Sequence, residues 1–184
     1  MSGCESGRVI VLDRDGTIVI DRGYADHAAS LEFVPGAAEG LRFLHASGYR
    51  LLVITNQSGV GRGLFPLERV HHMNARLEVM VRDAGARLER IYFCPHAPEV
   101  GCACRKPALG LLAQAAAELQ FDPACAVVIG DRESDIEFGR RAGAGTILIA
   151  GQRPLPAARF QPDFVVPDLL AAAHELIEPR SVAG

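Results

Sequence analysis

An α/β fold, a three-layer α/β/α Rossmann-like sandwich on a parallel sheet, is the class predicted for these 184 residues, from three observations. Short valine- and isoleucine-rich runs alternate with amphipathic stretches of helical length. Proline stands near the start and glycine just past the end of several of those stretches. The chemically distinctive side chains come directly after the apolar runs. Strand–helix–strand units close by right-handed crossovers, so the strands lie parallel and ligands bind outside their carboxyl ends.

Taken in order, the strands are Val9–Leu12, Leu51–Thr55, Ile91–Phe93, Ala126–Ile129 and Thr146–Ile149, with a short edge strand at Asp163–Val166. Four consecutive apolar residues at 9–12 read as a strand buried on both faces. The helices are Gly36–Ala46, Leu67–Ala84, Leu109–Leu119, Asp135–Ala142 and Leu169–Ile177, with Pro35, Pro66 and Pro107 at their first turns and Gly48, Gly85 and Gly143 after helix ends. No repeat or low-complexity segment interrupts the alternation, and one domain spanning 1–184 is expected.

Each strand then delivers polar groups to one edge. After the first come Asp13 and Asp15, spaced i, i+2 and so directed to one side of an extended chain, as a carboxylate nucleophile and a general acid beside a hard cation require. After the second, Thr55 offers a hydroxyl to a phosphoryl oxygen, and Asn56, Gln57 and Ser58 open a turn whose N–H groups bind an anion. The third leads to Arg105 and Lys106. Among the 19 basic residues Lys106 is the single lysine, in a chain where arginine has replaced lysine everywhere else. Its compact ammonium suits the space between a carboxylate and a phosphate. After the fourth, Asp131 adds a carboxylate for Mg2+ and Asp135 orients that shell.

A second cluster lies at 94–107. Cys94 and His96 form one i, i+2 pair and Cys102 and Cys104 another, separated by a loop holding Pro98 and Gly101. Folding the loop brings three thiolates and one imidazole together as a closed, structural Zn2+ site. Such a site is not catalytic; it stiffens the loop that carries Arg105 and Lys106.

The remaining features exclude more than they assign. A net charge of −3 without a basic stripe argues against nucleic acid. The start of the chain lacks a leader-like apolar run and no stretch approaches membrane-spanning length, so a cytoplasmic protein with no membrane partner is expected. Disulfides are rare in that compartment, so the five cysteines are expected as thiols or metal ligands, Cys4 on a frayed terminus and Cys125 in the core. Adjacent His71 and His72 diverge on a helix and read as exposed. Gly59-Val60-Gly61-Arg62-Gly63 lacks the GK[ST] ending of a nucleotide loop.

These four strand-end groups match, in order and spacing, the motifs of the haloacid-dehalogenase (HAD) phosphatase superfamily, which the chain resembles over nearly its whole length. The resemblance implies that Asp13 attacks phosphorus, that Asp15 protonates the leaving oxygen and then activates water, that Thr55 and Lys106 hold the phosphoryl group, and that Mg2+ is bound by Asp13, the carbonyl of Asp15 and Asp131. Within the superfamily, Asp13–Ile18, Asp21-Arg22-Gly23-Tyr24, Thr55–Gly59, Gly61–Phe65, Cys94-Pro95-His96 and Cys102–Pro107 resemble the zinc-containing heptose 1,7-bisphosphate 7-phosphatases of lipopolysaccharide precursor synthesis. By that similarity Asp21, Arg22, Gly23 and Tyr24 contact the sugar, Arg105 recognises the far end of a sugar bisphosphate, and residues 18–34 form only a small flap in place of a large cap. A monomer is expected. Histidinol-phosphate phosphatases share the nucleophile motif, the zinc ligands and Cys-Arg-Lys-Pro, and stand as the alternative. A non-catalytic zinc-stabilised binding module would predict a broken catalytic set, and none of the four motifs is broken.

Overall fold

The structure, a computed structural model, describes residues 8–23, 31–151 and 159–178. Six parallel strands form one sheet in the order β3-β2-β1-β4-β5-β6: β1 (Val9–Leu12), β2 (Arg50–Asn56), β3 (Leu88–Cys94), β4 (Ala126–Gly130), β5 (Gly145–Ile149) and β6 (Phe164–Val166). The helices are α1 (Ala37–Ala46), α2 (Ser58–Gly61), α3 (Leu67–Asp83), α4 (Gly110–Leu119), α5 (Glu133–Arg141) and α6 (Leu169–Ile177).

Alternation along β1 divides the core in two. Ile10 and Leu12 pack with Leu41 and Leu44 of α1, Leu77 and Val81 of α3, and Leu169 and Ala173 of α6. Val9 and Val11 face the other side, with Leu111, Leu112 and Ala115 of α4 and Phe138 of α5. Helices therefore cover both faces of the sheet, which is why β1 carries no polar residue and all four of its residues are buried. Among the described residues, no helix is long and apolar enough to cross a membrane.

The strand order contains a switch point. The chain builds outward from β1 to β2 and β3, then crosses back to place β4 on the other side of β1. A crevice opens outside the carboxyl ends there. The register places Leu12 level with Val53 and Ile129, so the residues that follow these strands meet at one spot.

The elements differ from expectation mainly at their ends. β3 starts three residues earlier than its apolar signature, because Glu89 and Arg90 are exposed edge residues. α4 begins at Gly110, not at the turn after Pro107, and α5 begins two residues earlier than expected, at Glu133. The glycine-rich stretch at 59–63 forms the short helix α2 and its exit turn, and the Gly61 N–H donates to the Pro95 carbonyl at 2.8 Å, seating the loop beyond β3. Cys125 departs from the expected core thiol. It sits half-buried in a 3₁₀ turn at the amino end of β4 and is disulfide-bonded to a partner outside the described residues. The turn leaves the side chain short of the sheet interior. Cys4 lies outside the described residues.

Candidate active site

β1 ends by handing Asp13 to the crevice, and the Asp13 N–H still donates to the Ile129 carbonyl of β4 at 2.9 Å. The chain then reverses: the N–H groups of Ile18 and Val19 both donate to the Arg14 carbonyl. Gly16 makes this turn possible. Its φ is +86°, and a Cβ there would lie 2.4 Å from a carboxylate oxygen of Asp131. The glycine after the two acids is therefore a clearance for the third.

Lys106 reaches into this corner from the loop beyond β3. Its Nζ lies 2.8 Å from Asp13 Oδ1 and 2.7 Å from Asp135 Oδ1, and all three side chains are buried. Burial alone would lower the ammonium's pKa, but the two carboxylates outweigh it and push it up to about 12. Asp135 also accepts from the Arg132 N–H at 3.2 Å, capping α5. Gly130 leaves room for it, since a Cβ at that position would lie 2.4 Å from the Asp135 Cβ. Burial pushes the Asp135 carboxyl pKa up, with Asp13 adding to the rise and Lys106 opposing it.

Asp13, Asp131 and Asp135 bring carboxylate oxygens within 4.8 Å of one another. Three acids against the Lys106 ammonium and the Arg132 guanidinium, which acts on Asp131 and Asp13, still leave excess negative charge in this corner, and an oxygen-only donor set of this kind fits a hard divalent cation. The expected ligands Asp13 and Asp131 meet here. The Asp15 carboxylate does not join this group; it is held by Arg14 and Gln57.

At the end of β2, Thr55 Oγ1 accepts from Gln57 Nε2 at 3.1 Å, and the same amide nitrogen donates to Asp15 Oδ2 at 2.7 Å. Asn56, expected on the substrate, has a different visible task. Its Oδ1 accepts from the Lys106 N–H at 3.0 Å and its Nδ2 donates to the Lys106 carbonyl at 3.1 Å. The two bonds clamp the peptide that carries the lysine to the end of β2.

The predicted zinc ligands converge as their spacing requires. The Cys94, Cys102 and Cys104 sulfurs lie 3.1–3.5 Å apart, and His96 Nδ1 is 3.7 Å from Cys94 and 3.1 Å from Cys104. A tetrahedral zinc with bonds of about 2.3 Å needs edges of roughly 3.8 Å, so a small expansion admits the ion. The fold selects Nδ1 of the imidazole, which the sequence leaves open. Burial raises the Cys94 thiol to about 12. At Cys102 burial works the same way but is outweighed by bonds from Cys104 and Cys94, which bring that thiol down to about 6.

A cavity of about 480 Å³ rises from Asp13 and Lys106 and is lined by Asp15, Asp21, Arg22, Gly23, Thr55–Ser58, Arg62, Arg69, Arg105 and Arg132. Residues 18–20 and 32–34 run antiparallel as the base of the flap. Asp21 is held by Arg132 at 2.6 Å and Arg22 by Glu32 at 2.8 Å, while Tyr24 lies outside the described residues. Arg105 lines the wall with a buried Nη1 that has no hydrogen-bond partner among the described residues. The structure adds residues that sequence reading missed. Arg132 reaches across to the flap, and Arg69 over Phe65 lines the wall. Arg14 is buried against Asp15 and bonds Asn74 of α3. Asn74 had a signal in sequence: it is the one polar residue in the buried stripe Val70, Asn74, Leu77, Val81.

Comparison with known proteins agrees with this geometry. A family model described as HAD-hydrolase-like matches residues 103–172. D-glycero-β-D-manno-heptose-1,7-bisphosphate 7-phosphatase of Helicobacter pylori strain J99 is 43% identical over 151 residues, covering 82% of this chain and 87% of that protein. The enzyme of that name from Pseudomonas putida is 34% identical over 174 residues, covering 92% and 99%. A crystal structure of D,D-heptose 1,7-bisphosphate phosphatase from B. bronchiseptica, complexed with magnesium and phosphate, superposes with a TM-score of 0.79 at 28% identity, covering 92% of this chain and 97% of that one. A buried carboxylate corner, a lysine delivered by a Cys/His loop and relatives of this identity and coverage lead to one assignment: the chain belongs to the D-glycero-β-D-manno-heptose-1,7-bisphosphate 7-phosphatase family of HAD-type hydrolases.

Proposed function

We propose that this chain removes the C7 phosphate of D-glycero-D-manno-heptose 1,7-bisphosphate, acting as a Mg2+-dependent monomeric phosphatase in the cytoplasm. The observation that carries the substrate assignment is the wall above Asp13. Arg62, Arg69 and Arg105 line it, and the buried donor at Arg105 Nη1 has no partner of its own among the described residues. A second phosphate satisfies that donor. Histidinol phosphate has one phosphate and a cationic amine, and so offers this positively charged wall no second anion.

In the proposed reaction the Asp13 carboxylate attacks phosphorus and the bond from phosphorus to the sugar oxygen breaks. Asp15 gives that oxygen its proton. Asp15 then takes a proton from the water that attacks the aspartyl-phosphate, releasing inorganic phosphate and restoring Asp13. Thr55 and Lys106 hold the phosphoryl oxygens throughout, and Lys106 is already bonded to the nucleophile. Asp13, the Asp15 carbonyl and Asp131 would hold Mg2+, which supplies the positive charge that lets two anions meet. Cys94, His96, Cys102 and Cys104 would hold Zn2+ as a structural ion. Side-by-side kcat/KM values for heptose 1,7-bisphosphate and histidinol phosphate test the assignment. A higher value for histidinol phosphate overturns it, and retained turnover in Asp13→Asn overturns the covalent route.

A further inference from the structure

We infer that Arg14, tethered to α3 by Asn74, is a positioning residue that aims the Asp15 carboxylate for both of its proton transfers. The inference rests on the acid–base role proposed for Asp15 and goes beyond it by naming what holds that group. Arg14 is only 1% exposed, although it sits between two acids at the mouth of a polar cavity. Neighbours on an extended strand point to opposite sides. Here the chain reverses just after β1, with two N–H groups closing on the Arg14 carbonyl, and the guanidinium curls back onto its own neighbour.

The contacts are specific. Arg14 Nε lies 3.2 Å from both Asp15 oxygens and Nη2 lies 3.1 and 2.9 Å from them. The third nitrogen, Nη1, donates to Asn74 Oδ1 at 3.0 Å. On its other side Asp15 Oδ2 accepts from Gln57, which also bonds Thr55. A planar fork held at three nitrogens fixes both the position and the plane of the carboxylate, which a single ammonium cannot do. The corner thus contains two cations with divided duties. Lys106 holds the nucleophile Asp13 and Arg14 holds the proton carrier Asp15. A buried arginine that served only the fold would find any available carboxylate; this one meets the acid that must move protons, and a polar residue is placed in an otherwise apolar helix stripe to hold it there.

The test uses Arg14→Lys, Asn74→Leu and Asn74→Asp in the full-length, zinc-loaded protein with Mg2+, followed by stopped flow. With p-nitrophenyl phosphate the phenolate leaves without a proton, so only hydrolysis of the aspartyl-phosphate needs Asp15. Arg14→Lys and Asn74→Leu should therefore release a burst of about one nitrophenolate per enzyme. Steady turnover should then be lower by about tenfold to a hundredfold, with KM falling alongside kcat. On an alkyl phosphate such as the heptose bisphosphate, both steps need Asp15, so kcat should fall at least as far with no burst. Asn74→Asp keeps an acceptor for Nη1 and should return turnover to within about threefold of wild type. Equal loss on both substrates with no burst, or wild-type kcat in Arg14→Lys, overturns the inference. Failure of the substrate assignment is distinguishable, because it appears in the wild type as poor heptose bisphosphate turnover and leaves the p-nitrophenyl phosphate burst in the variants unchanged.

Discussion

Replacing Asp135 by asparagine should make the metal-free protein more stable while making the enzyme slower. Asp135 is 1% exposed, 2.7 Å from Lys106 Nζ, and within 4.8 Å of carboxylate oxygens of Asp13 and Asp131. At an effective dielectric constant of about 20, its attraction to the ammonium is roughly 6 kcal/mol and each of its two repulsions, across 4.8 Å or less, is at least roughly 3.5 kcal/mol, so the repulsions offset the attraction. Burial then leaves the ionised form at a net disadvantage, which is why its pKa is raised. For an acid with a raised folded pKa, the stabilising contribution is present at low pH and is lost as pH rises through the folded value, so the raised pKa of Asp135 counts against folding as pH rises. Lys106 gains from the same contacts because it shares two carboxylates, while Asp135 has one shared cation and faces Asp13. Asparagine removes the charge and keeps the shape, at the loss of a cap bond worth about 1 kcal/mol. The expected net gain is about 1–2 kcal/mol, or roughly 2–8 °C in Tm for a chain of this size. Thermal and urea unfolding at pH 7 without added Mg2+ measures it, and kcat should fall at least about tenfold as Lys106 loses an anchor. Added Mg2+ should then stabilise the wild type more than the variant. A destabilisation of more than about 2 kcal/mol would show that the Asp135–Lys106 pair is a net contributor and that the corner carries no excess charge.

Other outcomes follow from the same geometry. Lys106 has a folded pKa raised to about 12 from 10.5, so its contribution is complete below pH 10.5 and lost as pH rises toward 12. The stability difference between wild type and Lys106→Met should shrink by roughly 2 kcal/mol across that window in urea titrations. Asn56→Ala removes both bonds to the Lys106 backbone and should lower kcat by an amount equivalent to about 2 kcal/mol without changing zinc content, as kinetics and metal analysis will read. Purified protein should carry about one zinc, and chelating it should open residues 94–107 to proteolysis and reduce activity, since Arg105 and Lys106 directly follow Cys104; elemental analysis without zinc would sink this reading. Arg105→Ala should cost heptose bisphosphate about thirtyfold in kcat/KM and barely affect p-nitrophenyl phosphate, whereas Lys106→Arg should lower kcat on both.

The strands and helices were legible because each is written in neighbouring residues: apolar runs for β1 and β4, helical spacing for α1 and α3, glycine after helix ends. The Cys/His cluster was legible for the same reason, as two i, i+2 pairs across one short loop. Asp13, Thr55, Lys106 and Asp131 were legible because parallel strands send their carboxyl ends to a single edge, and the side chains found there were chemically unusual. Arg14 was given no role, because nothing local says that a turn will fold its guanidinium back onto Asp15. Asn56 was read as a substrate ligand and does line the cavity, but its clamp on the Lys106 backbone was not legible, because that partner lies 50 residues away. Cys125 was placed in the core because an apolar run follows it, yet the 3₁₀ turn stops it short.

By itself the amino-acid sequence determined the α/β class, the polar strand ends that meet at one edge and the clustering of Cys94, His96, Cys102 and Cys104, since periodicity, spacing and residue type act over a few positions. Only the tertiary structure decided which cation serves which carboxylate. Lys106 meets Asp13 across 93 residues and Arg14 meets Asn74 across 60, and such pairings depend on how the loops and α3 pack against the sheet. Burial then makes each of those pairings matter, because a charge withdrawn from water must find its partner inside the protein.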